Sequence, residues 1–586
     1  MIYSYYNLEE NLHKDEDVKE EIENLLEQIE LEKKIVKANM ITEKTQMDPK
    51  EREREGRAIN NLVFSEKRGR RYSTGLKFTR KEKIRTEIKK GDLCVLTIND
   101  EEINCEIGNI TSNSVIVYTD EKIPKLVKNN IAKIDLMLNE TTFRRWEKNL
   151  MNLNESGKNA LRFKSNRIAT KDYNENKKIT FYNNKLDKYQ KKAVRHAVNS
   201  EDFFLIHGPF GTGKTTTIIE LILQEVKSNH KVLVTSESNT AIDNILKKLR
   251  KHKKINFTRV GASDKIPNYL RQHTLDNKLK EYLEDNEIND IEKLEIEEEI
   301  LNHSQVILTT NSSAGSITLA NIQFDIAIID EASQATIPSV LLPINKAEKF
   351  VLIGDHKQLP PVVLNNNASV LKTSLFEELI TIHEHQSQEL LIQYRMNEIL
   401  MLFPNMKFYG NKLKCSEKSK NYYLNCGVLE KYDSSSPLVF IDTSKHKNNK
   451  ENRLGYSNSY INNLEIEIVL DIIKMYLDKG IKQKDIGVIS PYANQVREIN
   501  KKANVAVKSV DGFQGGEKEI IIISLVRSND NKDIGFLKDM RRLNVSLTRA
   551  KKKLIIIGNR ETLEGNKDYK EFLEFCEQLG CISILD

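Results

Sequence analysis

The stretch Gly208-Pro209-Phe210-Gly211-Thr212-Gly213-Lys214-Thr215 constrains this chain most, because it sits between two apolar runs of different kind. Ahead of it, Phe203-Phe204-Leu205-Ile206-His207 reads as a short buried strand; behind it, Thr216 to Val226 carries Ile218, Ile219, Leu221, Ile222 and Leu223, enough apolar surface for a packed helix. A glycine-rich turn from strand to helix wraps a phosphate chain with its backbone N–H groups, and the helix N-terminus adds partial positive charge. Gly208, Gly211 and Gly213 permit that backbone, with Thr212 and Thr216 counted in the same cradle. Lys214 then reaches the outer phosphates of ATP, and Thr215 can hold Mg²⁺. A chance glycine turn ahead of a lysine would lack the two flanking elements.

Phe324-Asp325-Ile326-Ala327-Ile328-Ile329 is a second apolar strand, and it delivers Asp330 and Glu331 at its carboxyl end, where α/β sheets bind ligands. Asp330 can hold Mg²⁺, and Glu331 can orient and deprotonate an attacking water. Phe350-Val351-Leu352-Ile353-Gly354-Asp355 repeats the pattern and leads into His356-Lys357-Gln358-Leu359-Pro360-Pro361, where the Gln358 amide can sense a γ-phosphate. Arg395 and Arg549 come much later in the chain. Opposite a phosphate loop, a forked and permanently charged guanidinium stabilises charge spread over the transferring oxygens, each one worth ~10³ to 10⁵ in rate.

Gln190, the phosphate loop, Asp330-Glu331-Ala332-Ser333-Gln334-Ala335, Gly354 to Pro361, Gln393-Tyr394-Arg395-Met396, Val510-Asp511-Gly512-Phe513-Gln514-Gly515 and Asn544 to Ala550 resemble, in this order, the motifs of superfamily 1 helicases. Within that superfamily they are similar to the branch of the nonsense-mediated-decay helicase and the immunoglobulin mu-binding helicase, over roughly residues 186 to 560. The resemblance implies an ATP-dependent helicase or translocase, moving 5′ to 3′ on single-stranded RNA or DNA, with ATP hydrolysed between two RecA-like lobes. It implies that Gln190 reads the adenine edge, Tyr394 packs on the base, Glu517 approaches the ribose, and Arg395 and Arg549 act as arginine fingers. It also places four strand ends on a strand-binding face, through Ser238 and Asn239, Thr309 and Thr310, Pro491 and Tyr492, and Val510 and Asp511. A nucleotide-gated clamp or ribonucleoprotein-remodelling ATPase without processive unwinding would use the same motifs. Phe210 stands where a proline is usual, Ser236-Glu237-Ser238 replaces a more apolar approach, and Gly516 replaces a common basic residue.

At 586 residues the chain is too long for one core. Its formal charge of +6, from 91 cations against 85 anions, is only mildly basic, so a nucleic-acid surface must be a local patch. Lys67-Arg68-Gly69-Arg70-Arg71-Tyr72 and Lys77 to Lys90 are candidate patches, in which Tyr72 and Phe78 can stack on bases. Six cysteines without a C-x-x-C pair argue against a zinc module, and no apolar run approaches 18 residues. A soluble, intracellular monomer, cytoplasmic or nuclear, is the expectation.

The expected fold class is α/β, with two tandem RecA-like P-loop lobes, an N-terminal helical stalk and an inserted small β-barrel. Residues 1–60 form the stalk and 61–140 the barrel; 141–185 return as helix and linker. The first lobe covers 186–389 with a helical insertion at about 262–303, and the second covers 390–586.

Overall fold

A computed structural model describes residues 16–585 apart from 55, 70–73, 85, 87, 89–91, 100, 120, 122, 124–130, 137–139, 172–177, 262–265, 284–289, 430 and 454–458. Two parallel sheets dominate it. The first has seven strands in the order Ser387–Glu389, Phe203–His207, Ala347–Gly354, Phe324–Asp330, Val232–Ser236, Val306–Thr310 and Phe257–Arg259. Every neighbouring pair is parallel, as right-handed strand–helix–strand crossovers require. Both faces are covered by helices, so the central strands are apolar throughout: all five residues of Phe203–His207 and of Val232–Ser236 are buried. The second sheet repeats the plan with six parallel strands, Ala506–Lys508, Ile486–Ile489, Lys518–Ser524, Ala550–Gly558, Leu438–Asp442 and Ile582–Ile584. The α/β architecture with tandem P-loop lobes is therefore present.

Ahead of the first lobe, short strands close into a six-stranded antiparallel barrel, Ala58–Gly69, Thr74–Thr79, Ser114–Thr119, Glu101–Ile110, Leu93–Ile98 and Ile131–Leu136. Leu62, Leu76, Phe78, Leu96, Ile107, Val117 and Ile134 fill its interior. This corrects one sequence expectation. Phe78 is fully buried, edge-on to Phe64 at 5.7 Å, so it is barrel core and offers no face to a base. Arg70, Arg71 and Tyr72 of the basic run lie outside the described residues.

The helix Glu16–Gln46 has a firm anchor. Val18, Ile22, Leu25 and Ile29, spaced along one face, enter the first lobe's core beside Phe143, Trp146 and Leu150 of the helix Thr141–Leu150. One turn on, the Glu32 carboxylate accepts the backbone N–H groups of Leu364 (2.9 Å) and Asn365 (2.8 Å), and the Asn365 amide donates to Leu31 O at 2.7 Å. The charged excursion forms the helices Leu275–Leu283 and Asp290–His303, whose Leu275, Leu279, Ile300 and Leu301 also join that core.

Candidate active site

The phosphate loop leaves the strand Phe203–His207 and enters the helix Lys214–Lys227. Gly211 (φ +68°) and Gly213 (φ +82°) adopt left-handed backbone. Space forbids a side chain there too. A Cβ on Gly213 would lie 2.5 Å from Gln190 Nε2, and one on Gly211 would lie 2.5 Å from the Cβ of Arg395, which belongs to the chain entering the second lobe. Tyr394 N donates to Gly211 O at 2.8 Å, so the two halves already touch at the phosphate loop.

Between them lies a cleft of about 1050 Å³. Gly211, Thr212, Gly213, Lys214, Thr215, Asp330 and Glu331 line it from one side, and Tyr394, Arg395, Glu517 and Lys551 from the other. Lys214 Nζ donates to Gly208 O at 3.0 Å and lies 3.8 Å from Glu331 Oε1. Glu331 sits at φ +53°, a left-handed backbone unusual for a non-glycine residue and characteristic of strained functional positions. Gln334 Nε2 donates to its Oε2 at 2.7 Å and fixes the carboxylate. Asp330 is buried, and that burial together with the neighbouring Glu331 carboxylate pushes its pKa up, a penalty only partly offset by Lys214. A buried carboxylate carrying such a penalty, with the Thr215 hydroxyl lining the same cleft, is a hard-oxygen pair of the kind Mg²⁺ takes alongside phosphate oxygens.

The base-reading candidates are tied to one another. Asp187 caps the helix Lys188–Asn199, accepting from Tyr189 N and Gln190 N, while Gln190 Oε1 accepts from Asp187 N at 3.2 Å. Gln190 Nε2 donates to Thr212 O at 3.0 Å, and the Tyr394 hydroxyl donates to Asp187 at 2.8 Å. Both ends of the Gln190 amide are thus in use within the protein. Thr216 lies just outside the lining, where its hydroxyl accepts from Lys248 Nζ at 3.1 Å.

The two arginines are placed differently. Arg395 faces the cleft, with Nε donating to Glu517 at 2.7 Å and an amino group donating to Thr548 O at 3.0 Å. Arg549 is buried behind the wall, donating to Val545 O (2.8 Å), Thr548 Oγ1 (2.9 Å) and Gln358 Oε1 (3.1 Å); burial and the nearby Arg395 press its pKa down. Gln358 is buried as well, its Nε2 bonded to Asp355. Sequence reading assigned both to the γ-phosphate, but neither lines the cleft.

Among the eight strand-contact candidates, Ser238 and Asp511 line the cleft itself, and Asp511 pairs with Arg542 at 3.4 Å. Asn239 accepts from Arg259 at 2.6 Å, Thr310 caps the helix Asn311–Ala314, and Pro491 is partly exposed. The side chains of Thr309, Tyr492 and Val510 are buried, with the Thr309 hydroxyl donating to Val260 O at 2.9 Å and Tyr492 OH accepting from Arg527 at 3.3 Å. Contacts from these three to a strand would have to run through backbone, because the strand ends that carry them point their side chains into the layers below.

Sequence reading missed the polar layer behind the cleft. His207 Nε2 meets Asp355 Oδ1 at 3.0 Å and its Nδ1 lies 3.3 Å from Glu389, two carboxylates that outweigh burial and raise its pKa. Burial alone would raise Asp355, but His207 overrides it and holds that carboxyl well below the usual range. Tyr409 and Asn544 reach this layer from the second lobe. Only the Asp187-to-Gln190 spacing, a capping-box signature, was there to be read in advance.

Comparison with known proteins agrees with this geometry. An AAA domain family matches residues 371–561, and a second AAA domain family matches 185–296 and 286–366. The chain is 37% identical to the uncharacterized ATP-dependent helicase of Methanocaldococcus jannaschii, over 90% of this chain and 92% of that protein. The chain belongs to the superfamily 1 helicases. Within them it is 35% identical to DNA polymerase alpha-associated DNA helicase A of Schizosaccharomyces pombe, over 70% of this chain and 69% of that protein. It is also 32% identical to the DNA-binding protein SMUBP-2 of Rattus norvegicus, over 84% of this chain and 56% of that protein. As a member of this superfamily 1 branch it is a nucleic-acid-stimulated ATP hydrolase.

Proposed function

We propose that this helicase hydrolyses ATP between its two lobes while gripping a single strand of DNA or RNA, and that it moves 5′ to 3′ as a monomer. The contact of Gly211 with Arg395 carries the reading: the phosphate cradle of one lobe and an arginine of the other approach each other at the mouth of one cleft. Lys214 and the N–H groups of Gly211 to Thr215 hold the phosphates, with Gln190, Tyr394 and Glu517 around base and ribose. Thr215 and Asp330 would hold Mg²⁺, which supplies charge neutralisation between the outer phosphates when bound. Glu331, aimed by Gln334, takes a proton from the attacking water as the γ-phosphorus bond to the bridging oxygen breaks and ADP leaves. Arg395 neutralises the charge that gathers on the transferring oxygens, and Arg549 joins it once Gln358 turns towards the γ-phosphate.

Closure on ATP and reopening after hydrolysis would advance the strand-contact faces relative to each other. Ser238, Asn239, Thr309, Thr310, Pro491, Tyr492, Val510 and Asp511 mark those faces at the carboxyl ends of both sheets. The helix Glu16–Gln46 would serve as the stalk that carries the barrel, anchored through Glu32. Relatives named for DNA support DNA as the first strand to test.

The test is ATP turnover with single-stranded DNA and RNA of equal length at fixed salt, followed by forked duplexes carrying a 5′ or a 3′ tail. Strong stimulation and unwinding from the 5′ tail are expected. Turnover that neither strand moves would overturn the reading.

A further inference from the structure

Tyr409 caps the helix Glu398–Phe408 of the second lobe, is 4% exposed, and does not line the cleft. Its surroundings nevertheless come from each part of the hydrolytic apparatus. The ring meets Phe210 of the phosphate loop edge-on at 5.5 Å and lies nearly parallel to His207 at 6.4 Å. The Phe210 contact lays an aromatic ring of the second lobe directly onto the phosphate loop. The hydroxyl donates to Asp355 Oδ2 at 2.8 Å and accepts from Asn544 Nδ2 at 2.9 Å. The same Asp355 oxygen accepts from Gln358 Nε2 at 2.5 Å, and Gln358 Oε1 accepts from Arg549 at 3.1 Å. Asn544 Nδ2 also donates to Lys357 O at 2.8 Å, and its helix, Met540–Leu547, leads directly into Thr548 and Arg549.

We propose that Tyr409 is a positioning residue for ATP hydrolysis: its ring and hydroxyl join the phosphate loop, the Asp355–Gln358 segment and the Asn544–Arg549 segment, and so set where Gln358 and Arg549 stand relative to the γ-phosphate. This rests on the roles given to Gln358 and Arg549 above. Buried polar networks of this kind fix geometry strongly because every member needs its partner. Without the hydroxyl, Asp355 loses one of the two donors on Oδ2, the Gln358 amide loses its neighbour, and Asn544 keeps only Lys357 O. The phosphate cradle is backbone and keeps its shape. The defect therefore belongs to the transition state and leaves the bound ground state alone.

Tyr409→Phe keeps the ring and removes both hydroxyl bonds, to Asp355 and from Asn544. At saturating single strand, kcat is expected to fall roughly ten- to a hundredfold, with KM for ATP and the affinity for ADP within about twofold of wild type. Asn544→Ala removes the Tyr409–Asn544 bond together with the bond to Lys357 O, and stands in where Tyr409→Phe is not recovered folded. The double variant should lose less than the product of the two single losses, because both singles cut the Tyr409–Asn544 link. Unchanged kcat in both singles overturns the proposal. So does a loss of kcat matched by an equal loss of ADP affinity, or one that tracks a lowered unfolding midpoint across the variants, since either marks a merely structural role. Wild type without strand-stimulated turnover would instead sink the proposed function, whereas active wild type with Tyr409→Phe and Asn544→Ala equal to it sinks this inference alone.

Discussion

The two walls of the cleft are made of different material. The first lobe presents backbone: a strand end, a loop shaped by Gly211 and Gly213 at positive φ, a helix N-terminus, and Glu331 held in a left-handed conformation. The second presents long side chains, among them Arg395, held by Glu517 and the Thr548 carbonyl, with Arg549 buried behind it. A wall of backbone is rigid because its hydrogen bonds are those of the sheet and helix themselves. An arginine at the cleft held by a few charge-assisted bonds can exchange partners when a nucleotide arrives. The contrast fits the proposal that the first half holds the phosphates and the second acts on the rate of hydrolysis.

Changes to the movable wall should therefore alter rate more than binding. Arg395→Ala is expected to lower turnover by ~10³ to 10⁵ with ADP affinity nearly unchanged, and Arg395→Lys should recover little because an ammonium cannot fork. Steady-state turnover and nucleotide titration check this; a large loss of ADP binding would erase the contrast. Glu331→Gln comes next, removing the proton acceptor for ~10² to 10⁴ in rate while ATP still binds, which single-turnover kinetics would show.

How far this was readable follows the same division. The first wall is local in sequence: strand, glycines, lysine and helix follow one another within Phe203 to Val226, so spacing alone located them, as it did Asp330 and Glu331. The barrel was legible through short stretches of alternating apolar and polar residues, although such alternation hides which face is inside, and Phe78 was misread for that reason. The layer of His207, Asp355 and Tyr409 was not legible, because its members are separated by up to 202 positions and meet only through packing of the two lobes. Arg549 was found as a residue but not as a buried one, since burial of a cation depends on partners such as Gln358 that sequence does not place.

The second lobe also stores a buried acid. Glu465 accepts from Ser524 Oγ (2.6 Å) and Val526 N (2.9 Å), its other oxygen lacks a partner, and burial raises its pKa to about 8. The folded state thus holds this proton more tightly than the unfolded chain. Its stabilising contribution is complete below the ordinary carboxylate range near 4.5 and is lost as pH rises from there to about 8. Glu465→Gln should flatten that decline and leave the variant more stable by a few kcal/mol at the alkaline end, measured as denaturant midpoints across pH. A wild-type profile without the decline would show that burial does not hold the proton on Glu465 in the folded state.

The smallest effect belongs to the anchor of the N-terminal helix. Glu32→Ala leaves Leu364 N and Asn365 N without their carboxylate, at a cost of about 1 to 3 kcal/mol, and thermal unfolding reads it. No change would mean that the apolar contacts of Val18 to Ile29 hold the helix alone.

The central claim is that one lobe holds the phosphates and an arginine from the other acts only at the transition state. Affinities of ADP and of ADP–aluminium fluoride, with Mg²⁺ and a saturating single strand, measured for wild type and Arg395→Ala, test it most directly. ADP should bind both proteins alike, while the transition-state mimic loses ~10²-fold or more in the variant. A mimic that binds the two proteins equally well would contradict the account.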